Sequence, residues 1–216
     1  YFNHAITYVE LKNGKSFFLD PTAETSNIDV LPVSDQKRVC LVFSDKGPLL
    51  METPLLEKNL IRVVMDISWK KGIFDFERMV TGEGVFNMYQ RYFVNYSHPE
   101  KLKQFFSQTA KAILPDATLL SYQILNQDSV DIPLQLKYLF EGRKFFVKLG
   151  TIYIPQRFSQ VDYDEKVVSK DFRKYPLSLD FPYVRKTTIT LEIPSGFSVY
   201  FLPDAIDMDS PWITYK

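Results

Sequence analysis

The chain has 216 residues, and its 26 basic side chains are balanced by 26 acidic ones, so no net charge draws it towards nucleic acid or an anionic membrane. A single cysteine excludes an internal disulfide and a cysteine-based zinc cluster. No apolar run approaches the roughly 18 residues that a membrane-spanning helix needs. The 18 Phe and 13 Tyr, against eight Gly, favour half-buried pleated surfaces, so we expect a mainly-β fold in one or two domains.

A β-hairpin is the first predicted element. Residues 5–12 and 15–20 are apolar, β-rich runs that flank Asn13 and Gly14. An Asn-Gly pair in that position is a strong hairpin signal because both residues tolerate positive φ angles. The proline- and serine-marked stretch 21–37 then predicts an irregular surface connection.

The next segments predict one strand and a domain boundary. The nearly continuous apolar run at 38–44 is typical of a strand buried on both faces. Gly47, Pro48 and Pro54 then mark residues 45–59 as a connection, and we place the boundary near residue 57.

Beyond the boundary the pattern predicts a sheet with one amphipathic helix. Residues 60–69 and 73–80 alternate as strands around a Lys-Lys-Gly turn, and 85–95 is interpreted as a continuation of the sheet. Ser97 and Glu100 have the spacing of a capping box at a helix start, and Pro115 ends the helix. Apolar and small side chains between them recur at helical spacing: Leu102, Phe105, Phe106, Thr109 and Ile113.

The remainder again predicts strands. We expect them at 118–125, 132–140, 144–154, 187–193 and 197–202, with a cut-short strand at 212–216 and a long polar loop at 155–183. The resulting fold class is mainly β with a minor α component: an antiparallel β-sandwich with one helix, preceded by the hairpin.

The beginning of the chain resembles the transglutaminase-like (papain-like) family. The resemblance rests on Phe2-Asn3-His4-Ala5, Tyr8-Val9-Glu10-Leu11, Asn13-Gly14-Lys15 and Phe18-Leu19-Asp20-Pro21-Thr22. It implies that residues 1–57 are the C-terminal remnant of a catalytic core. It also implies that His4 and Asp20 are the second and third members of a Cys-His-Asp triad.

A later segment is similar to a β-rich domain of unknown function that follows the catalytic core in bacterial exported or envelope-associated members. The similarity rests on Tyr175-Pro176-Leu177, on Thr188-Ile189-Thr190-Leu191-Glu192-Ile193-Pro194-Ser195-Gly196-Phe197 and on Leu202-Pro203. It implies that residues 58–216 are an accessory β-sandwich and that the protein is extracytoplasmic, in the periplasm or cell envelope.

The chemistry that the resemblance implies is cysteine-dependent acyl transfer or amide hydrolysis without a cofactor. An imidazolium lowers the pKa of a neighbouring thiol, and a carboxylate on the other ring nitrogen fixes the tautomer of the histidine. The nucleophilic cysteine has no counterpart before His4, so we expect this chain to be inactive alone and to have the upstream catalytic core of the same polypeptide as its partner. The alternative is a non-catalytic β-sandwich module that binds a protein or a glycan.

The spacing of His4 and Asp20 adds a geometric condition. If Asn13 and Gly14 form a two-residue turn, position 20 faces Thr7, which is three residues from His4, and the two side chains lie on opposite faces of the hairpin. A three-residue loop or a bulge returns them to one face, so we predict either such an irregularity or a pair that does not meet.

Other candidate residues favour structural interpretations. Cys40 lies in an apolar run, where burial suppresses thiol reactivity, although a rearranged site with His4 and Asp20 stays open. His98 is expected at a helix start and not as a metal ligand. Residues 89–96 are interpreted as a strand that packs on the sheet, in preference to a surface that binds a glycan or a peptide. No metal site is predicted, because the two acidic loops lack the residue spacing of a calcium-binding loop. These loops carry Asp162, Asp164 and Glu165 and, further on, Asp204, Asp207 and Asp209.

Overall fold

The computed structural model describes residues 3–28, 30–45, 47–155, 172–176, 180–211 and 213–216. Among these residues strands predominate and two α-helices form the minor helical part, which confirms the predicted mainly-β fold class. The first hairpin consists of β1 (Thr7–Glu10) and β2 (Ser16–Leu19), as predicted. A short 3-10 helix, Val33–Asp35, lies within the irregular connection that follows.

A second hairpin occupies the segment that the sequence assigned to one strand and a linker. Strand β3 (Val39–Ser44) pairs with β4 (Gly47–Glu52), so the prediction of a structureless connection at 45–59 is wrong for its first half. Burial of β3 on both faces is also wrong, because Val39 is 65% and Phe43 79% exposed. A two-stranded sheet buries one face at most, and here its inner face joins the first hairpin in a small core.

The largest sheet among the described residues has five strands, in the order β11-β5-β6-β8-β7. Its strands are β5 (Leu60–Lys70), β6 (Ile73–Glu83), β7 (Thr118–Leu125), β8 (Gln135–Gly142) and β11 (Val184–Leu191). All pairings are antiparallel except that of β11, which lies parallel to β5 at the sheet edge. The four other sheets among the described residues have two strands each.

Helix α1 (Val85–Asn95) replaces the strand predicted at 85–95. Strand β6 ends just before Gly84, whose φ angle is +64°. Residues other than glycine disfavour this conformation. The buried Asn59 then accepts a hydrogen bond from the Val85 amide at 2.9 Å, which satisfies one of the free N–H groups of the new helix. The buried side chains of this helix include Val85, Met88, Arg91 and Val94, which recur every three residues. This spacing in the sequence is also typical of a helix.

Helix α2 (Pro99–Ile113) confirms the predicted helix, with Leu102, Phe106 and Ala110 on its buried face. The N-cap residue is His98, and not Ser97 as in the predicted capping box. His98 Nδ1 accepts a 3.4 Å hydrogen bond from the Glu100 amide. Neither α1 nor α2 has the length and apolarity to cross a membrane, and no other helix among the described residues has them.

The main core lies between the five-stranded sheet and the two helices. Aromatic rings dominate it: Phe76 stacks on Phe140 with centroids 4.6 Å apart, and Phe106 of α2 stacks on Tyr122 at 4.6 Å. Offset and edge-to-face ring contacts add to the burial of apolar area, which is the main stabilising term. Core packing therefore accounts for part of the aromatic-rich composition, while other rings, such as those of Phe43 and Tyr92, are exposed.

The C-terminal part departs from the predicted strand pattern in two places. The strand expected at 144–154 is a hairpin of β9 (Phe146–Leu149) and β10 (Ile152–Pro155), with Gly150 at φ +62° between them. Residues 197–202 form no strand, although the predicted turn before them is present. The terminal strand does form, as β13 (Thr214–Tyr215) paired with β12 (Met208–Asp209). Most of the predicted loop at 155–183 lies outside the described residues.

Arg91 connects α1 to the loop between β7 and β8. Its side chain is 2% exposed and its guanidinium donates hydrogen bonds to four backbone carbonyl groups, those of Asn126, Gln127, Ser129 and Ile132. A stacking role for Arg91 at the surface is therefore excluded. Burial lowers the pKa of Arg91, but the planar guanidinium stays charged at neutral pH.

Replacing Arg91 should therefore destabilise the chain strongly. Arg91→Lys keeps the charge but cannot present a planar fork to four carbonyls, and the carbonyls left unpaired in a buried site cost about 1–3 kcal/mol each. We expect Arg91→Lys to lower the free energy of urea unfolding by about 2–4 kcal/mol, with the exposed Arg62→Lys as the matched control. Equal stability of the two variants would contradict this assignment.

Candidate functional site

The turn of the first hairpin determines which side chains meet at its open end. The Gly14 amide donates to the Leu11 carbonyl at 2.9 Å, the Leu11 amide donates to the Lys15 carbonyl at 2.8 Å, and Gly14 has φ +80°. This is a three-residue loop closed by a glycine in the left-handed region, so the predicted irregularity is confirmed. The pairing Thr7 with Leu19 then places Asp20 opposite Ile6, on the same face as His4.

His4 and Asp20 are in contact across this hairpin end. His4 Nε2 lies 3.2 Å from Asp20 Oδ2. The other carboxylate oxygen, Oδ1, accepts hydrogen bonds from the Thr22 amide at 2.9 Å and from the Thr22 hydroxyl at 2.8 Å. The Asp-Pro-Thr segment is thus a side-chain-closed turn that holds the carboxylate towards the imidazole. The side chain of Asp20 is 4% exposed, whereas that of His4 is 40% exposed.

Asp35 is a second acidic neighbour of His4 that the sequence did not identify. Its Oδ2 lies 3.7 Å from His4 Nε2, and its Oδ1 accepts a 3.1 Å hydrogen bond from the Ser34 hydroxyl. The 3-10 turn fixes its backbone, and the buried Thr53 at the end of β4 donates its hydroxyl to the Asp35 carbonyl. Asp35 is 8% exposed. Nothing in the local sequence marks it, because the fold of the second hairpin brings it to the site.

The pKa values of the two carboxyl groups, Asp20 and Asp35, are shifted in opposite directions. Burial raises the pKa of Asp20, but the hydrogen bonds from Thr22 and His4 outweigh it, so the pKa lies below the usual range. Burial also raises the pKa of Asp35, and its side-chain hydrogen bond with Asp20 and the nearby charge of Asp20 raise it further, so the pKa lies above the usual range despite the Ser34 hydroxyl. The site therefore pairs a stabilised carboxylate with one that is costly to ionise.

A pocket of about 510 Å³ opens beside this cluster. One wall comes from residues 3–35 and carries His4, Asp20 and Asp35. The other comes from α1 and its C-cap residue and carries Met88 and three tyrosines, Tyr89, Tyr92 and Tyr96. The Tyr96 hydroxyl donates a 2.5 Å hydrogen bond to Glu24, which links the two walls. Residues 89–96, interpreted from the sequence as strand packing, are thus the end of a helix and its C-cap, and they line the pocket.

The remaining predicted candidates lie away from this cluster. Cys40 is half-buried in the small core with Phe18, and its thiol donates to the Met51 carbonyl at 3.4 Å rather than lining the pocket. His98 has the structural role expected of it, as the cap of α2. The acidic loop at 162–165 lies outside the described residues, and the side chains of the loop at 204–209 are exposed.

The same three groups are the only set among the described residues that could hold a metal ion. One nitrogen of His4 and one oxygen each of Asp20 and Asp35 lie within 4.8 Å of one another. The sequence predicted no metal site because Asp35 was not recognised as a neighbour of His4.

Comparison of the chain with protein-family models, with curated proteins and with solved structures finds no match.

The pKa directions predict opposite pH dependence for two isosteric substitutions. The ionised Asp20 contributes stability above its ordinary pKa of about 4, and this contribution disappears as the pH falls through its lowered pKa. The protonated Asp35 contributes stability below the ordinary value, and this contribution disappears as the pH rises through its raised pKa. Asp20→Asn should therefore lose stability relative to the unmodified chain as the pH rises from about 3 to about 7, and Asp35→Asn should gain.

Urea unfolding at a series of pH values, with a chelator present, measures both differences. Parallel pH profiles for the two variants would show that the carboxyl groups do not differ in this way.

Proposed function

We propose that this chain is the C-terminal part of a transglutaminase-like protein, with residues 1–57 from the catalytic core and residues 58–216 as an accessory domain. The whole polypeptide would perform cysteine-dependent acyl transfer or amide hydrolysis. The observation that supports this most directly is the 3.2 Å contact between His4 Nε2 and Asp20 Oδ2, which brings together two side chains 16 positions apart. The resemblance in sequence assigned the same two residues to one triad.

In this proposal His4 transfers the proton and Asp20 holds the ring. Because Nε2 faces Asp20, Nδ1 is the nitrogen that can accept the proton of a thiol. The thiolate attacks the carboxamide carbon, and the His4 imidazolium returns the proton to the departing amine as the C–N bond breaks. An incoming amine or water then attacks the thioester, gives its proton to His4 and releases the product and the thiol.

The accessory part contributes a wall to the proposed substrate pocket. Tyr89 and Tyr92 of α1 face the hairpin that carries His4, and Tyr96 is hydrogen-bonded to Glu24 on the other wall. Two exposed rings beside a proton-transfer group suit an extended peptide or another flat acyl substrate. Residues 58–216 would thus present substrate as well as support the core.

The reactivity of the nucleophile in the longer polypeptide tests this function. A polypeptide extended upstream should contain a cysteine at a strand-to-helix junction, and iodoacetamide at neutral pH should label it rapidly. His4→Ala should slow the labelling about tenfold or more, because a thiol without its imidazolium returns to a pKa near 8.5. His98→Asn is the matched control, since Asn preserves the helix cap of the second histidine. Absence of such a cysteine, or labelling that does not depend on His4, would overturn the proposal.

A binding module without catalysis is the second candidate function, and it is favoured by the tyrosines of the pocket rim. Tyr92 and Tyr96 are 60% and 58% exposed, and their ring centroids lie 4.8 Å apart. Exposed ring pairs of this kind stack on glycans and on aromatic or proline-containing peptides. Binding that is lost in Tyr92→Ala but retained in His4→Ala would favour this function over the catalytic one.

A further inference from the structure

We propose that His4, Asp20 and Asp35 form a binding site for one divalent metal ion such as Zn²⁺, Co²⁺ or Mn²⁺. The ion would be bound by His4 Nε2 and by one carboxylate oxygen of each aspartate. This inference goes beyond acyl transfer, since metal binding needs neither the missing nucleophile nor a substrate.

The separations between the ligand atoms suit a small tetrahedral ion. Zinc–nitrogen and zinc–oxygen bonds of about 2.0–2.2 Å at tetrahedral angles put neighbouring ligand atoms about 3.3–3.5 Å apart. His4 Nε2 lies 3.2 Å from Asp20 Oδ2 and 3.7 Å from Asp35 Oδ2. All three donor atoms lie within 4.8 Å of one another, so modest side-chain adjustment brings them round one ion.

The state of Asp35 Oδ2 points independently to a cation. This oxygen is buried and accepts no hydrogen bond from a donor group of the described residues, and Asp35 as a whole is 8% exposed. A buried carboxylate oxygen without a donor is costly, and such groups are normally paired or bound to a metal. The orphaned oxygen faces His4 Nε2, where the ion would lie.

The surrounding hydrogen bonds orient both carboxylates in advance. Thr22 holds Asp20 through Oδ1, and Ser34 holds Asp35 through Oδ1, so in each case Oδ2 is the oxygen directed at His4. Thr53 fixes the backbone of Asp35 through its carbonyl. Partners of this kind, which bind the ligands rather than the metal, typically improve metal affinity about 10- to 100-fold.

The ligand set identifies the class of metal and leaves room for a further ligand. One imidazole and two carboxylates without thiolate suit Zn²⁺, Co²⁺ or Mn²⁺ better than Cu⁺, and the imidazole disfavours Mg²⁺ and Ca²⁺. Three protein ligands leave a fourth tetrahedral position, and His4, whose side chain is 40% exposed, lies in the wall of the pocket. Water or a substrate group can occupy that position.

Metal binding and proton transfer at His4 exclude each other, a consequence that rests on the proposed function. A metal on Nε2 uses the lone pair of that nitrogen, so the ring proton moves to Nδ1. Nδ1 then cannot accept the proton of a thiol. The ion would therefore hold the site inactive until it is removed, which makes Asp35 a regulatory ligand rather than a member of the triad.

Zinc titration of the metal-free chain tests the site. Isothermal titration calorimetry with zinc chloride should give one ion per chain, and Co²⁺ should give the visible absorption of a tetrahedral site. We expect Asp35→Asn to weaken zinc binding about 100-fold and His4→Gln to abolish it. His98→Asn, which removes the other histidine, and Asp207→Asn, which removes an exposed acid, should leave zinc binding unchanged.

The contrary results are equally specific. No saturable binding of zinc up to about 1 mM would overturn the proposal. Binding by Asp35→Asn as tight as by the unmodified chain would also overturn it, since the buried carboxylate would then have no part in the site. Neither result affects the dependence of thiol labelling on His4, so failure of the metal site and failure of the proposed function are distinguishable.

Discussion

The register of the first hairpin is the constraint on which the site depends. Side chains alternate between the faces of a strand, so a shift of one position would turn Asp20 away from His4. The three-residue loop with Gly14 at φ +80° sets that register, and the same register places Tyr8 against Phe18, with ring centroids 5.1 Å apart. Burial of this aromatic pair in the small core therefore enforces the contact between the polar pair at the end of the hairpin.

The second acidic group, Asp35, comes to the site by a different route. A turn closed by Thr53 holds Asp35 against the end of the second hairpin, and the small core of Phe18, Leu31 and Val42 packs the two hairpins together. Two-stranded sheets are marginally stable alone, so this packing is what allows a buried carboxyl group with a raised pKa to persist. An electrostatically unfavourable group retained in a small core is more typical of functional sites than of scaffolds.

Local patterns were sufficient for much of the fold. The hairpin β1–β2, the strands β5, β6, β7 and β11 and helix α2 follow from alternation, turn residues and helical spacing. Strand β4 was missed because Gly47 and Pro48 indicate a loop, whereas a two-stranded sheet tolerates a proline that lacks a ladder donor. Helix α1 was missed because its aromatic residues have high strand propensity, while Gly84 and the cap from Asn59 decide in favour of a helix.

Only part of the candidate site could be predicted from the sequence. The contact between His4 and Asp20 was predictable because one turn connects them, and the condition on that turn could be stated from the sequence. Asp35 and the tyrosines of α1 were not predictable, because tertiary packing alone brings them to the pocket. Short-range contacts are encoded in spacing, and long-range contacts depend on the packing of whole elements.

The position of the ring proton on His4 tests the central claim most directly. In the metal-free chain at a pH where His4 is neutral, nitrogen NMR should show the proton on Nε2, since this nitrogen donates to Asp20. Asp20→Asn, which replaces the carboxylate by a neutral amide, should weaken this preference towards a mixture of the two tautomers, while the tautomers of His98 stay the same. A proton on Nδ1 in the unmodified chain, or a distribution that Asp20→Asn does not alter, would contradict the account.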